Sequence, residues 1–337
     1  MHRQLFFLVL VLVPLVSTGH HSNAEYDFGV TEELEGRVSM VSWRNPHVRL
    51  MLSVVGTDGT EAIWELEAQD VNSLGRRGLG SEMVREGDVV RVAGNPSTRR
   101  GNSMYVTNVL LPNGTEINMR GSPEPRWSGE RIGFDPPVVE EIRAAAGEAE
   151  GIFRVWMEEE TTPFPADLPL TPTASAAEAA WDPANHLTLQ CVAGGMPGVM
   201  TRVPAPHPID FTQQQDGNLV LRVEVFDIVR TIYMDSDANA AEQSATPLGY
   251  SAGHWEGGTL VVRTTRVSWP YFNQSGSIPQ SQAVEIDERF TVGDDDRLVY
   301  ELTVSDPATL IEPVSARFVL GWRPDLVVEP FECIPGA

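Results

Sequence analysis

Lysine is absent from this 337-residue chain: all 24 basic residues are arginine, set against 47 Asp and Glu, for a formal net charge of −23. Without lysine, no Schiff base can form on a side-chain amine. The acid excess disfavours a nucleic-acid partner, because that binding depends on Lys and Arg neutralising phosphates. It suits a well-solvated surface instead. Long apolar runs are scarce as well. The longest, Leu5 to Val16, has 12 residues and includes Pro14, whereas a helix needs roughly 20 to cross a bilayer. No transmembrane anchor is therefore expected. A His-Glu-x-x-His zinc-protease helix is also missing, and cysteine is limited to Cys191 and Cys333.

What the first residues do contain has the three parts of a secretory signal peptide. Arg3 supplies a short basic start, Leu5 to Val16 the apolar stretch, and Ser17 and Gly19 the small residues of a cleavage site. The sequence predicts a signal peptide over 1–19, a mature chain beginning at His20, and a periplasmic or secreted location. In that oxidising compartment Cys191 and Cys333, which roughly bracket the C-terminal domain, are expected to form a disulfide. The alternative is two separate buried thiols.

Beyond the signal the chain reads as all-β. Residues 20–120 predict a five-stranded OB-like barrel, with strands at Leu34–Ser42, Val48–Val55, Thr60–Glu67, Val89–Gly94 and Met104–Leu111. Gly56-Thr57-Asp58-Gly59 and Pro112-Asn113-Gly114 carry hairpin chemistry. Ala62-Ile63-Trp64-Glu65-Leu66-Glu67 alternates as a half-buried strand does. A short polar helix from Asp70 to Arg77, between the third and fourth strands, completes the order of an OB-type fold. Residues 121–186 are a Pro-rich connector with one short helix over Val138–Ala149; Ala174–Ala180 is a second candidate. Residues 187–337 predict an antiparallel β-barrel or sandwich, with strands at Leu219–Phe226, Arg230–Met234, Thr259–Thr265, Glu285–Val292, Leu298–Val304 and Ala316–Leu320. Gly151 and Trp156 are candidates to begin its first strand.

Two constellations carry chemistry. After cleavage at Gly19, His20 offers an α-amino nitrogen and an imidazole that can chelate one metal ion. A further imidazole makes a T-shaped three-nitrogen site suited to Cu(II). His47 is the natural third ligand and His21 its competitor; the alternative is a loose terminus and an ordinary turn histidine. In the C-terminal domain, His254 and Glu256 share a face of an alternating segment, and a His with a carboxylate can act as a general base with its orienting partner. Arg230, Asp235, Glu288 and Arg289 are candidates to line the same polar pocket. The competing account is a glycine-rich turn and a structural ion pair. Asp235-Ser236-Asp237-Ala238-Asn239 opens like a calcium loop, but Ala240 and Thr246 stand where such a loop needs Gly and Glu, so a plain polar turn is expected.

His20-His21-Ser22, Val41-Ser42-Trp43, Asn45-Pro46-His47 and Glu86-Gly87-Asp88 together resemble a bacterial family of exported proteins classed as a domain of unknown function, over roughly residues 20–119. Arg230 to Asp235, Gly249 to Gly257, Glu288-Arg289-Phe290 and Asp306-Pro307 resemble a second group of uncharacterised exported bacterial proteins. Tyr250 stands where that group has a His, and Ser236 where it has a Gly. Neither resemblance implies an activity. The expectation is an exported binding protein, holding copper or an envelope partner in the N-terminal barrel and a small molecule in the C-terminal domain. The alternatives are a periplasmic hydrolase, lyase or isomerase using His254 with Glu256 or Glu288, and a structural envelope module with no site.

Overall fold

The computed structural model describes residues 25–121, 124–134, 139–146, 151–182, 185–201, 207–234 and 239–335. The expected signal peptide, His20, His21 and Asp235 lie outside the described residues. The first barrel is built from β1 (Glu32–Ser42), β2 (Arg49–Val55), β3 (Glu61–Glu67), β4 (Val89–Pro96) and β5 (Ser103–Leu110). Neighbours pair antiparallel, except that β3 runs parallel to β5 and closes the ring. β6 (Glu116–Asn118) and β7 (Arg131–Ile132) extend the sheet from β5. Alternation in β2 turns Leu50 and Leu52 inward, at 1% and 0% exposure, to join Leu66, Val92 and Met104 in the core. Helix α1 (Val71–Gly75) lies between β3 and β4, where the sequence predicts it. Asp70 caps α1, its carboxylate accepting the Ser73 amide at 2.8 Å, which satisfies an amide the helix itself leaves unpaired.

The connecting stretch holds α2 (Val139–Ala146) and α3 (Pro172–Ala179). In α3, Pro172 occupies the first turn after the Thr171 cap, a position where its missing N–H costs nothing. Among the described residues no helix is long and apolar enough to cross a membrane.

The second barrel has nine strands: β8 (Val155–Thr162), β9 (Ile209–Gln213), β10 (Leu219–Val223), β11 (Ile228–Met234), β12 (Tyr250–Glu256), β13 (Thr259–Thr265), β14 (Glu285–Val292), β15 (Arg297–Ser305) and β16 (Val314–Trp322). The sheet closes through β8–β16 and β9–β10, so of barrel and sandwich it is the barrel that forms. All pairs are antiparallel except β11–β12. The glycine-rich stretch that suggested a turn contains β12. Gly253 is a strand residue there because a Cβ at that position would stand 2.5 Å from Ile232 Cγ2 on β11. β10 is shorter than the sequence suggests, because Phe226 and Asp227 adopt positive φ angles of 61° and 53° and turn the chain. Trp156, Phe211, Phe290, Tyr300 and Phe318 fill the barrel interior.

Candidate functional site

His47 lies in the β1–β2 connection, which is tied down by its neighbour. Asn45, 4% exposed, accepts the Val71 amide at 2.8 Å and donates to Asn72 Oδ1 at 2.9 Å and to the Phe331 carbonyl. The turn is thereby fastened to α1 on one side and to the C-terminal tail on the other. His47 Nδ1 lies 3.1 Å from the Ala68 carbonyl. That acceptor makes Nδ1 the protonated nitrogen and leaves the lone pair on Nε2, the arrangement typical of a metal-binding imidazole. Glu67 Oε1 is 3.8 Å from Nδ1, and its other oxygen accepts the Tyr26 hydroxyl at 3.3 Å. Burial, reinforced by the charge of Glu67, raises the pKa of Tyr26 well above the ordinary phenol value, so this hydroxyl stays a donor. A cleft of about 210 Å³ opens at His47, walled by Arg44, Pro46 and Arg49 of the first barrel and by Leu189 and Ile334 of the C-terminal half. Arg49 faces Glu65 and Glu67 at 3.8 and 3.9 Å, which offsets its charge beside the cleft. Among the described residues no three His, Cys, Asp or Glu side chains gather to hold a metal ion.

Next to this cleft the barrels meet in an ionic cluster that sequence reasoning missed. Glu224, fully buried, receives Arg76 Nη1 from the first barrel at 2.8 and 3.0 Å. His207 bridges the same seam, with Nδ1 3.1 Å from Glu224 and Nε2 3.7 Å from Asp70. Phe331 packs edge-on against the His207 ring at 5.4 Å. No motif announces these residues; the one available signal was a charge, Glu224, inside the apolar run Val223-Glu224-Val225. The disulfide expected from sequence joins Cys191 to Cys333, with Cα atoms 5.6 Å apart.

The C-terminal candidates do not share one pocket. Arg230 and Glu288 point into the second barrel at 1% and 0% exposure. They form a bidentate pair, at 2.9 Å through one oxygen, and Tyr300 donates to Glu288 at 2.8 Å. His254 stands outside, half exposed, 3.2 Å from Glu256, which also accepts from Arg289 at 3.1 Å. Hydrogen bonds from His254 and Arg289 lower the Glu256 pKa. The strand period explains the separation: Gly253 and Glu288 both register with Val262, whereas His254 and Arg289 both register with Val261 on the opposite face. The expectation that His254 and Glu288 line a common pocket is therefore corrected.

Sequence reasoning also passed over Gly249-Tyr250-Ser251-Ala252-Gly253, which has the Gly-x-Ser-x-Gly spacing of a hydrolase elbow. Such an elbow exposes its serine at a strand-to-helix turn. Ser251 instead lies within β12 at 1% exposure, accepting from Arg230 Nε at 3.0 Å and bonded to Thr264 at 2.9 Å. It belongs to the buried ion-pair network.

No curated protein matches the chain. The family comparison covers β1 to β4, the start of β5 and the Asn45-Pro46-His47 turn, and leaves the second barrel outside the match. Over residues 9–106 the chain carries a domain of the family of unknown function DUF6152.

Proposed function

We propose that this is an exported binding protein whose mature N-terminus takes up Cu(II) together with His47. His20 would supply its amine and imidazole and His47 its Nε2, with His21 the competing ligand. The observation that carries this is the anchoring of Tyr26. Its hydroxyl contacts Glu67 at 3.3 Å, and Glu67 lies 3.8 Å from His47. The Tyr26 side chain thus reaches the carboxylate that faces His47 Nδ1. Six peptide steps run from Tyr26 back to His20, a reach of about 20 Å at roughly 3.3 Å per residue. The Ala68 carbonyl on Nδ1 orients the ring and makes Nε2 the more basic donor. Three nitrogens in this arrangement suit Cu(II), which also leads the divalent affinity order.

Enzymatic chemistry at His254 draws less support: Glu288 lies on the opposite side of the barrel wall, and the pair that does form, His254 with Glu256 at 3.2 Å, stands half exposed on the outer face. A small molecule or envelope partner would find an opening at the His47 cleft.

Cu(II) titration of three proteins tests the proposal: the chain beginning at His20, the same chain with His47→Ala, and a chain with one extra residue before His20. The first should bind at least about tenfold more tightly than the other two, the scale on which ligand-set changes act. Its affinity should fall as pH drops through the range where imidazole and the α-amine protonate. Equal affinities in all three overturn the assignment.

A further inference from the structure

We propose that the Cys191–Cys333 disulfide is a redox-operated clasp that straps the C-terminal tail across the seam between the barrels and so holds shut one wall of the His47 cleft. As regulation of the His47 site it rests on the copper proposal, while the clasping of the tail stands on its own geometry.

After β16 the chain leaves the second barrel and crosses to the first. The Pro330 carbonyl accepts from Asn72 at 3.1 Å, the Phe331 carbonyl accepts from Asn45, and the Ile334 amide donates to the Asn45 carbonyl at 3.2 Å. On the other side the Phe331 amide donates to Asp227 at 2.8 Å and the Glu329 amide to Glu224 at 3.3 Å. Phe331, 2% exposed, wedges between His207 and Phe226, with centroids at 5.4 and 5.2 Å. The tail is a second joint between the two barrels, beside the Arg76–Glu224–His207 cluster. A terminal segment with few apolar contacts frays unless something fastens it, and Phe331 is the one fully buried residue among 323–335. The disulfide is that fastening.

Its position also couples it to the cleft. Leu189 lies two residues before Cys191 and Ile334 one residue after Cys333, and these two form the cleft's C-terminal wall. Both cysteines are half-buried, and a small dithiol is the reductant that the clasp requires. A thiolate of the reductant attacks one sulfur and forms a mixed disulfide. The reductant's second thiolate then displaces the protein sulfur. Two electrons and two protons leave the protein with two thiols and the reductant as its disulfide. With the bond open, Leu189 and Ile334 lose their covalent link, and the wall parts.

The test uses the full processed chain. Hydrogen exchange of the Phe331 and Ile334 amides, measured before and after reduction by a dithiol, should accelerate at least tenfold while the β12–β16 amides keep their protection. Unchanged exchange at Phe331 and Ile334 overturns the clasp. Free thiols bind copper themselves, so the affinity arm compares the oxidised chain with Cys191→Ser/Cys333→Ser; the variant should bind Cu(II) at least about tenfold more weakly. Equal affinity overturns the coupling to the cleft. Should the serine variant unfold, Cys191→Val/Cys333→Val serves in both arms. An oxidised chain that binds no Cu(II) refutes the copper proposal and the regulation built on it, while the exchange result still decides whether the tail is clasped.

Discussion

Removing Arg230 without removing Glu288 should be among the most damaging single substitutions available in the second barrel. Glu288 is fully buried, and its charge is met by Nη1 and Nη2 of Arg230, the Tyr300 hydroxyl at 2.8 Å and the Thr264 hydroxyl at 3.3 Å. Arg230→Met keeps the aliphatic bulk but leaves the carboxylate with two hydroxyls. An uncompensated buried charge costs about 3–5 kcal/mol. Arg230→Met/Glu288→Leu removes both charges, and such apolar replacement of a buried pair is often close to neutral. The double variant should therefore recover most of the loss, giving a coupling energy of about 2 kcal/mol or more. Urea unfolding followed by the fluorescence of Trp156 and Trp322, both in the barrel core, measures all three proteins. A single variant within about 1 kcal/mol of the parent, or a double variant no better than the single, would refute the reasoning that this pair is a charge held by its partner.

Two further perturbations probe other buried groups. Burial lifts the pKa of Glu158 to about 7; a raised carboxyl pKa stabilises the fold below its unfolded value and loses that contribution as pH climbs through 7. Glu158→Gln should therefore match the parent near pH 4 and gain up to about 1 kcal/mol at pH 8, after discounting for partial exposure; a difference independent of pH in thermal melts argues against it. Arg76→Leu strands Glu224 at the seam and should cost about 2–4 kcal/mol. It should also split a cooperative calorimetric transition towards separate melting of the barrels, and an unaltered transition would show the cluster does not couple them.

Most of the first barrel was legible because its strands alternate cleanly and its turns carry Gly and Asn. The helix after β3 was legible as a short polar segment beginning at Asp70, and the structure makes that residue its cap. The second barrel was harder to read where glycine serves packing rather than turning: Gly253 looks like punctuation in sequence, yet it is there because Ile232 leaves no space for a Cβ. β9 has five residues and follows Pro208, too short a stretch for alternation to declare itself. His47 was legible as a candidate, since few histidines compete with it. The grouping of His254 with Glu288 failed on a point that periodicity contains, for Ile286, Glu288 and Phe290 share the apolar face of β14 while Asp287 and Arg289 share the other. The seam cluster of Asp70, Arg76, His207 and Glu224 draws on three separated segments, Asp70 and Arg76 standing at the two ends of α1. Only tertiary packing brings them together.

The parallel steps within the two closed rings, β3–β5 and β11–β12, follow from arithmetic. Strand direction reverses at every antiparallel step, so a ring with an odd number of strands cannot return to its starting direction by reversals alone. Five strands and nine strands each require one parallel step, and each barrel has one. Each is short, registering three residue pairs against seven in β12–β13, and parallel pairing is slightly weaker per residue. Parity then limits how either barrel can change through evolution. Gaining or losing a single strand would abolish the parallel step or demand a second one. Gaining or losing a hairpin leaves the count odd and the seam where it was, so a change of two strands preserves the parallel step that a change of one would remove.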